Sequence, residues 1–217
     1  MDIACGTGQS ALALSAISEQ VYGIDISWSM LANAESHARV QYILARAEAI
    51  PFKDSSIPIS SCALAFHWFD RDQLLREAWR VLVPKGLLIV YNNGFTGVMR
   101  GNPGYQRWSQ EVYPAQFPVP PRNSQPITTQ GAASAGFDFI MEDRYKNEVS
   151  YTPDQLVAYL ITQTNIVAAL QNGRETVKSA HDWLLKQVNP YFNNDIATFV
   201  FSTRTWYLRK VDSHMPL

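Results

Sequence analysis

Asp2-Ile3-Ala4-Cys5-Gly6-Thr7-Gly8-Gln9-Ser10 decides how the rest of the chain is read. The stretch predicts the end of a β-strand, a glycine-rich turn and the start of a helix. Gly6 and Gly8 let the backbone turn tightly, and they let a ligand approach main-chain N–H groups with no Cβ in the way. A helix-forming run, Ser10-Ala11-Leu12-Ala13-Leu14, follows at once, so those N–H groups lie at a helix N-terminus. Such a turn favours a nucleotide-like ligand at the carboxyl edge of a parallel sheet.

Two ligands compete for it, beside the plain alternative of a structural turn with no ligand. Gly6-x-Gly8-x-x-Ala11 satisfies the loose dinucleotide fingerprint, and Asp25 follows as the acid. Asp2 discriminates. A carboxylate at the strand end would repel the pyrophosphate of NAD, whereas it suits a ligand with a positive amino group, such as S-adenosylmethionine. The methionine nucleoside is therefore the preferred reading.

Working outward, Val21-Tyr22-Gly23-Ile24-Asp25 reads as a short buried parallel strand ending in a carboxylate. Asp25 sits where an acid accepts both hydroxyls of a ribose. Ser27 is the better N-cap for the helix that starts at Trp28. Met30 and Leu31 are candidate walls for an adenine, with plain core as the alternative. Val40 to Ala45 is the third strand, and Ala47 and Glu48 leave its carboxyl end as a small residue and an acceptor suited to an adenine edge. Ile59 to Phe66 is the fourth strand, ending in His67-Trp68-Phe69-Asp70. Asp70 or Asp72 caps the next helix, whose Leu74, Leu75, Ala78 and Leu82 share one face. Pro84-Lys85-Gly86 stops that helix before a fifth strand, Leu87 to Tyr91. This alternation implies a doubly wound, mostly parallel α/β sheet.

Texture changes after Asn93. Residues 94–126 are rich in Gly, Pro and aromatics and read as an excursion over the sheet's carboxyl edge, mixing short helix and loop. Phe137 to Val149 returns as a strand. Thr152-Pro153-Asp154-Gln155 is a capping box with Pro at the first helical position. Asn172-Gly173 breaks this helix, Glu175 to Gln187 resumes it, and Thr198 to Lys210 is the last strand.

At 217 residues the chain suits one α/β domain with a full core. A net charge of −1 without a basic run leaves no electrostatic footprint for nucleic acid. No apolar run reaches membrane-spanning length. Cys5 and Cys62 are not a disulfide framework, which fits a reducing, cytoplasmic compartment. No Cys/His set has zinc spacing, so no metal is expected.

The segments DIACGTGQSALAL, YGIDISWSML, ARAEAIPF and AFHWFDRDQLLREAWRVLVPKGLLIVYN, in that order between residues 2 and 92, resemble the class I S-adenosylmethionine-dependent methyltransferases. The likeness is greatest to the small-molecule branch that includes trans-aconitate methyltransferase-like proteins. It implies a Rossmann-like, seven-stranded sheet with a short first strand and an antiparallel last strand. It places the methionine moiety on Asp2, Ala4, Gly6 and Gly8, the ribose on Asp25, and the adenine on Ile26 and Met30. Ala47 and Glu48 would lie at the adenine amino edge, and Phe66 and His67 near the sulfonium. Arg46 stands where the family often has Asp, so Glu48 or a backbone carbonyl must take over that contact.

The implied chemistry is methyl transfer to a small organic acceptor by a monomer or homodimer, with no nucleic acid or membrane partner. A methyl on a sulfonium is already activated, so alignment dominates. His67 is the candidate general base, a packing histidine being the alternative; Trp68, Tyr91 and Asn92 are the candidates for acceptor contact. Cys5 and Cys62 read as small core hydrophobes. The whole chain, 1–217, is expected to be one methyltransferase domain in which residues 95–126 and part of 152–190 form a lid. The rival readings are a non-catalytic or truncated S-adenosylmethionine-binding module and, more remotely, an NAD-dependent oxidoreductase. Only Met1 precedes Asp2, so the chain is expected to lack its natural beginning, with low stability and weak donor binding as it stands.

Overall fold

The computed structural model describes residues 1–123 and 125–212; Ser124, within the 95–126 stretch, and residues 213–217 lie outside the described residues. The chain forms two compact units. Unit 1 holds Met1–Asn92, Asn123–Arg144 and the chain from Arg204 on; unit 2 holds Asn93–Arg122 and Tyr145–Thr203.

In unit 1, β1 (Asp2–Ile3) lies between β2 (Val21–Asp25) and β4 (Ile57–Ala63), parallel to both. β3 (Val40–Leu44) pairs parallel with β2, and β5 (Leu82–Met99) pairs parallel with β4. With β6 (Phe137–Tyr151) and β7 (Ala197–Lys210) the sheet has seven strands in the order β3-β2-β1-β4-β5-β7-β6. This is the Rossmann-like, mostly parallel α/β architecture that the strand–helix alternation implies. β1 is two residues long but wholly buried, because both its neighbours are longer than it is. Helix α1 (Gln9–Ser15), the single turn α2 (Trp28–Leu31), α3 (Arg71–Val81) and α5 (Thr129–Ser134) belong to this unit.

The core of unit 1 is mainly aliphatic, with Phe66, Phe137 and Trp206 as its buried rings. Ile3, Ile24, Leu74, Leu82, Leu88, Val90 and Leu208 are all fully buried in one cluster. Each such side chain contributes about 1.5–3 kcal/mol relative to exposure. α3 buries Leu74, Leu75, Ala78 and Val81, the 3–4 spacing of an amphipathic helix. Asp70 caps it, accepting from the N–H groups of Asp72 and Gln73. Leu82, expected on the helix face, instead opens β5.

Two expectations are corrected. The fourth strand ends at Ala63, not Phe66: Leu64 adopts a left-handed φ of 55°, and Phe66–Trp68 forms a 3₁₀ turn. A left-handed residue cannot continue a strand. The 94–126 stretch, expected to mix short helix and loop, instead opens on a strand, and helix and irregular chain follow it. β5 runs on to Met99, and Pro103–Gln116 is a regular helix, α4, with Asn102 capping Tyr105 N–H and Pro103 at its first position. Pro at the first position fits a helix start; Pro114 falls near the helix end.

Unit 2 combines the distal ends of β5, β6 and β7 with α4, α6 (Pro153–Ile161), α7 (Thr164–Gln171) and α8 (Val177–Val188). The capping box at Thr152 and Gln155 is present in both directions. The core of this unit is aromatic: Tyr105, Trp108, Phe117, Phe199 and Phe201 pack with Leu156, Leu160, Leu184 and Val188. Tyr105 meets Phe199 edge-on with ring centroids 5.2 Å apart, a favoured geometry for aromatic pairs. Among the described residues no helix is long and apolar enough to cross a membrane.

Candidate functional site

The turn after β1 is wound by three left-handed residues, Ala4 (φ 55°), Gly6 (φ 55°) and Gly8 (φ 83°). Ala4 pays a steric penalty there that glycine would not. Gly8 N–H donates to Cys5 O at 2.9 Å, closing the turn, and Gly8 is the N-cap of α1. Asp25, the last residue of β2, holds the next layer. Its Oδ2 accepts from Gly6 N–H and its Oδ1 from Ser27 N–H, both at 2.8 Å. One carboxylate thus ties the glycine turn to the cap of α2. Each carboxylate oxygen has a second lone pair, so both can still accept a ligand hydroxyl.

Tyr42 of β3 braces the same turn. A Cβ built at Gly8 would come within 2.0 Å of the Tyr42 hydroxyl, and one at Gly23 within 3.0 Å of the Tyr42 ring and 2.9 Å of Cys5 Sγ. The ring therefore uses the space that two missing Cβ atoms leave. Nothing local in the sequence marks Tyr42 for this role.

The segment after β3 is anchored by α3. Glu77 accepts from Ile50 N–H at 2.7 Å, and Arg80 donates to Ile50 O and Phe52 O, each at 2.8 Å. Glu77 and Arg80 also pair with each other at 2.8 Å, and Arg80 with Asp54. The Arg80 guanidinium holds the Glu77 carboxyl below its ordinary value. Sequence reading missed this pair; its only signal is an i,i+3 charge pair on a helix.

A cavity of 580 Å³ opens at the carboxyl ends of β1, β2, β3 and β4. Of the expected donor-site residues, Ala4, Gly6, Asp25, Ile26, Met30, Ala47 and Glu48 line it, and so does Trp68, expected to meet the acceptor. Ile26 and Met30 are 66% and 48% exposed, apolar surface left facing the opening. Ser27, Arg46, Leu64 and Phe69 line it as well and were not named from sequence as contacts. Glu48 lies 3.8 Å from Arg46.

Asp2, Gly8, Phe66, His67, Tyr91 and Asn92 do not line this cavity. Asp2 is 0% exposed, and its Oδ1 accepts from Ser61 Oγ at 2.8 Å. Burial pushes its carboxyl above the ordinary range, against the lowering influence of the Ser61 and Ser10 hydroxyls. Gly8 lies behind the turn, under Tyr42. Phe66 is buried beneath the Arg71 guanidinium, 4.7 Å from its ring centre. His67, which sits in the 3₁₀ turn and not on a strand end, tilts against Trp68 with centroids 4.7 Å apart. Tyr91 meets Ser10 hydroxyl to hydroxyl and, with Met1, lines a separate 540 Å³ cavity of unit 1. Asn92 is the last residue of unit 1 on β5. Cys5 and Cys62 are buried free thiols, both pushed up to about 12 by burial. Burial disfavours their reactive thiolate form at neutral pH.

Residues 1–90 match the family model described as a methyltransferase domain. The ubiquinone/menaquinone biosynthesis C-methyltransferase UbiE of Acidiphilium cryptum is 35% identical over 124 residues, which cover 53% of this chain and 50% of that protein. The uncharacterized methyltransferase YcgJ of Bacillus subtilis is 33% identical over 100 residues, 43% of this chain and 40% of that one. The matched stretch thus spans half or less of these relatives' own length. Among solved structures, a type II methyltransferase candidate from Anaeromyxobacter dehalogenans superposes with a TM-score of 0.72 at 21% identity, covering 98% of this chain and 89% of the other. The [4+2]-cyclase SpnF superposes at 0.54 with 19% identity, covering 98% and 74%. At such identities the likeness is one of fold, and the cyclase is a reminder that fold does not fix the reaction.

Proposed function

We infer that this chain is an S-adenosylmethionine-dependent methyltransferase acting on a small organic molecule, in the cytoplasm. The observation that carries the reading is the composition of the 580 Å³ cavity: exposed apolar Ile26 and Met30 beside the Asp25 carboxylate, over a glycine turn, at four parallel strand ends. Its size is ordinary for a small-molecule site. The residues fit the donor's nucleoside. Asp25 presents two oxygens to the ribose, Ile26 and Met30 cover an adenine face, and Glu48 offers an acceptor to the amino edge. When bound, the donor supplies an electrophilic methyl group on a sulfonium, so the chain's task is to orient and to exclude water. The methyltransferase domain match over residues 1–90 supports this reading, as do structural neighbours held with S-adenosylmethionine or S-adenosylhomocysteine, such as the phosphoethanolamine N-methyltransferase 2 of Haemonchus contortus.

Titration calorimetry with S-adenosylhomocysteine tests the donor assignment. Saturable binding is expected, weakened at least tenfold in Asp25→Ala, which removes charge-assisted hydrogen bonds of about 1.5–3 kcal/mol each. Binding of NAD with no response to the sulfur nucleoside overturns it.

A second reading is favoured by Asp2. The residue expected to meet the donor's amino group is buried against Ser61 and lies off the cavity. That favours a module that holds the nucleoside without turning it over. Incubation with methyl-labelled donor and a metabolite extract separates the two: tight binding with no labelled product selects the module.

A further inference from the structure

Unit 2 has a cavity of its own, of 210 Å³. Phe95 of β5, Tyr113 of α4, Val119 and Leu160 of α6 give it apolar walls. An apolar cavity of about 150 Å³ holds a benzene ring, so this one takes a single ring and leaves room for a small head group.

The polar lining is one-sided. No Asp or Glu lines the cavity, and Arg122 is its one charged residue. Among the described residues Arg122 makes no ion pair. The buried amide in the wall is already matched: Asn165 Nδ2 donates to Phe117 O at 3.0 Å, and its Oδ1 accepts from the Tyr113 hydroxyl at 3.3 Å. Burial pushes the Tyr113 phenol up to about 12, so it stays neutral and adds no negative charge. What the cavity presents is a solvent-exposed cation, Arg122, at the edge of an apolar slot. A guanidinium has the planar fork that binds carboxylate or phosphate through two parallel hydrogen bonds.

We propose that unit 2 carries a binding site for a small organic anion: a ring-sized apolar body held between Phe95 and Tyr113, with one carboxylate or phosphate head group on Arg122. The site is a property of unit 2 and does not rest on methyl transfer.

Benzoate, phenyl phosphate and benzamide, titrated onto the full chain by calorimetry or saturation-transfer NMR, test it. Benzoate or phenyl phosphate binds at least tenfold more tightly than benzamide, and the better of the two identifies the head group. Arg122→Gln brings both anions down to the benzamide level. Val119→Trp, at a half-exposed wall position, fills the slot and abolishes binding of all three while the melting temperature holds. S-adenosylhomocysteine titrated onto the same samples reports separately on the cavity of unit 1 and is expected to be unaffected, so failure of one site does not count against the other. Equal affinity for benzoate and benzamide, an unchanged anion preference in Arg122→Gln, or no saturable binding at millimolar concentration overturns the proposal.

Discussion

The two units solve the same packing problem with different side chains. Unit 1 fills its interior mainly with Ile, Leu and Val, and unit 2 fills its own with a net of rings around Tyr105, Trp108, Phe117 and Phe199. Aliphatic side chains pack without preferred contacts, whereas rings favour tilted and edge-on pairs, as Phe117 and Trp183 do at 84° with centroids 5.4 Å apart. The sites differ in the same way. The cavity of unit 1 stands on strand ends, so most of its residues fall in short runs (Ile24 to Ser27, Ala45 to Glu48, Ala63 to Ala65). The cavity of unit 2 also draws on short runs (Phe95 to Gly97, Gln163 to Asn165), but they come from one strand and from helices and their flanks, not from successive strand ends. A strand-end site is written in motifs; a ring-lined site is written in packing.

The largest expected effect comes from breaking the aromatic core. Phe117→Ala removes a fully buried ring and should cost about 3–5 kcal/mol in urea unfolding. If the two cores are separate, hydrogen exchange in the variant loses more protection over 153–188 than over 21–44. A uniform loss would merge the two units into one cooperative body.

Gly8→Ala strikes the other unit. The new Cβ enters a left-handed backbone and falls 2.0 Å from the Tyr42 hydroxyl, so about 2–3 kcal/mol is expected from strain and overpacking. Adding Tyr42→Ala to Gly8→Ala removes the clash but not the backbone strain. A double-mutant cycle should therefore show coupling; its absence would mean that Tyr42 does not brace the turn.

Glu77→Gln should be milder, about 1–2 kcal/mol at neutral pH, because the pair with Arg80 is partly exposed. The sign with pH follows from the direction of the shift. The folded carboxyl lies below its ordinary value of 4.5, so its contribution is present above that value and fades as pH falls through the lowered one. Wild type and variant should converge under acid melting; a constant gap across pH would assign the effect to packing.

The smallest effect has the opposite sign. Asp2 is raised above its ordinary 3.8 by burial, so the folded state holds its proton longer than the unfolded state and stability falls as pH rises through that window. Asp2→Asn should therefore melt about 3 °C higher than wild type at neutral pH, on the order of 1 kcal/mol for a chain of this size, with no gain below pH 3.8. Loss of S-adenosylhomocysteine affinity in the same variant would give the buried carboxylate a role in the donor site despite its place off the cavity.

What the amino-acid sequence determined by itself was local or periodic. Ser27, Asp70 and Thr152 act as helix caps because a side chain reaching two or three residues ahead needs nothing distant. The β2 boundaries, the α3 face and the glycine turn follow from spacing, and Asp25 from its place at a strand end. Tertiary structure decided the rest. Leu64 turning left-handed, which ends β4 early and puts His67 in a 3₁₀ turn, has no local signal in Leu itself. β5 running on past Asn93 depends on partners about a hundred residues away, such as the carbonyl of Val200 that Thr96 donates to. Whether Asp2 faces the cavity or the interior depends on Ser61 in a neighbouring strand. Hydrogen bonds within one turn are fixed by covalent spacing, while strand length, side-chain facing and cavity walls depend on which distant segments arrive beside them, and one chain read alone does not order those arrivals.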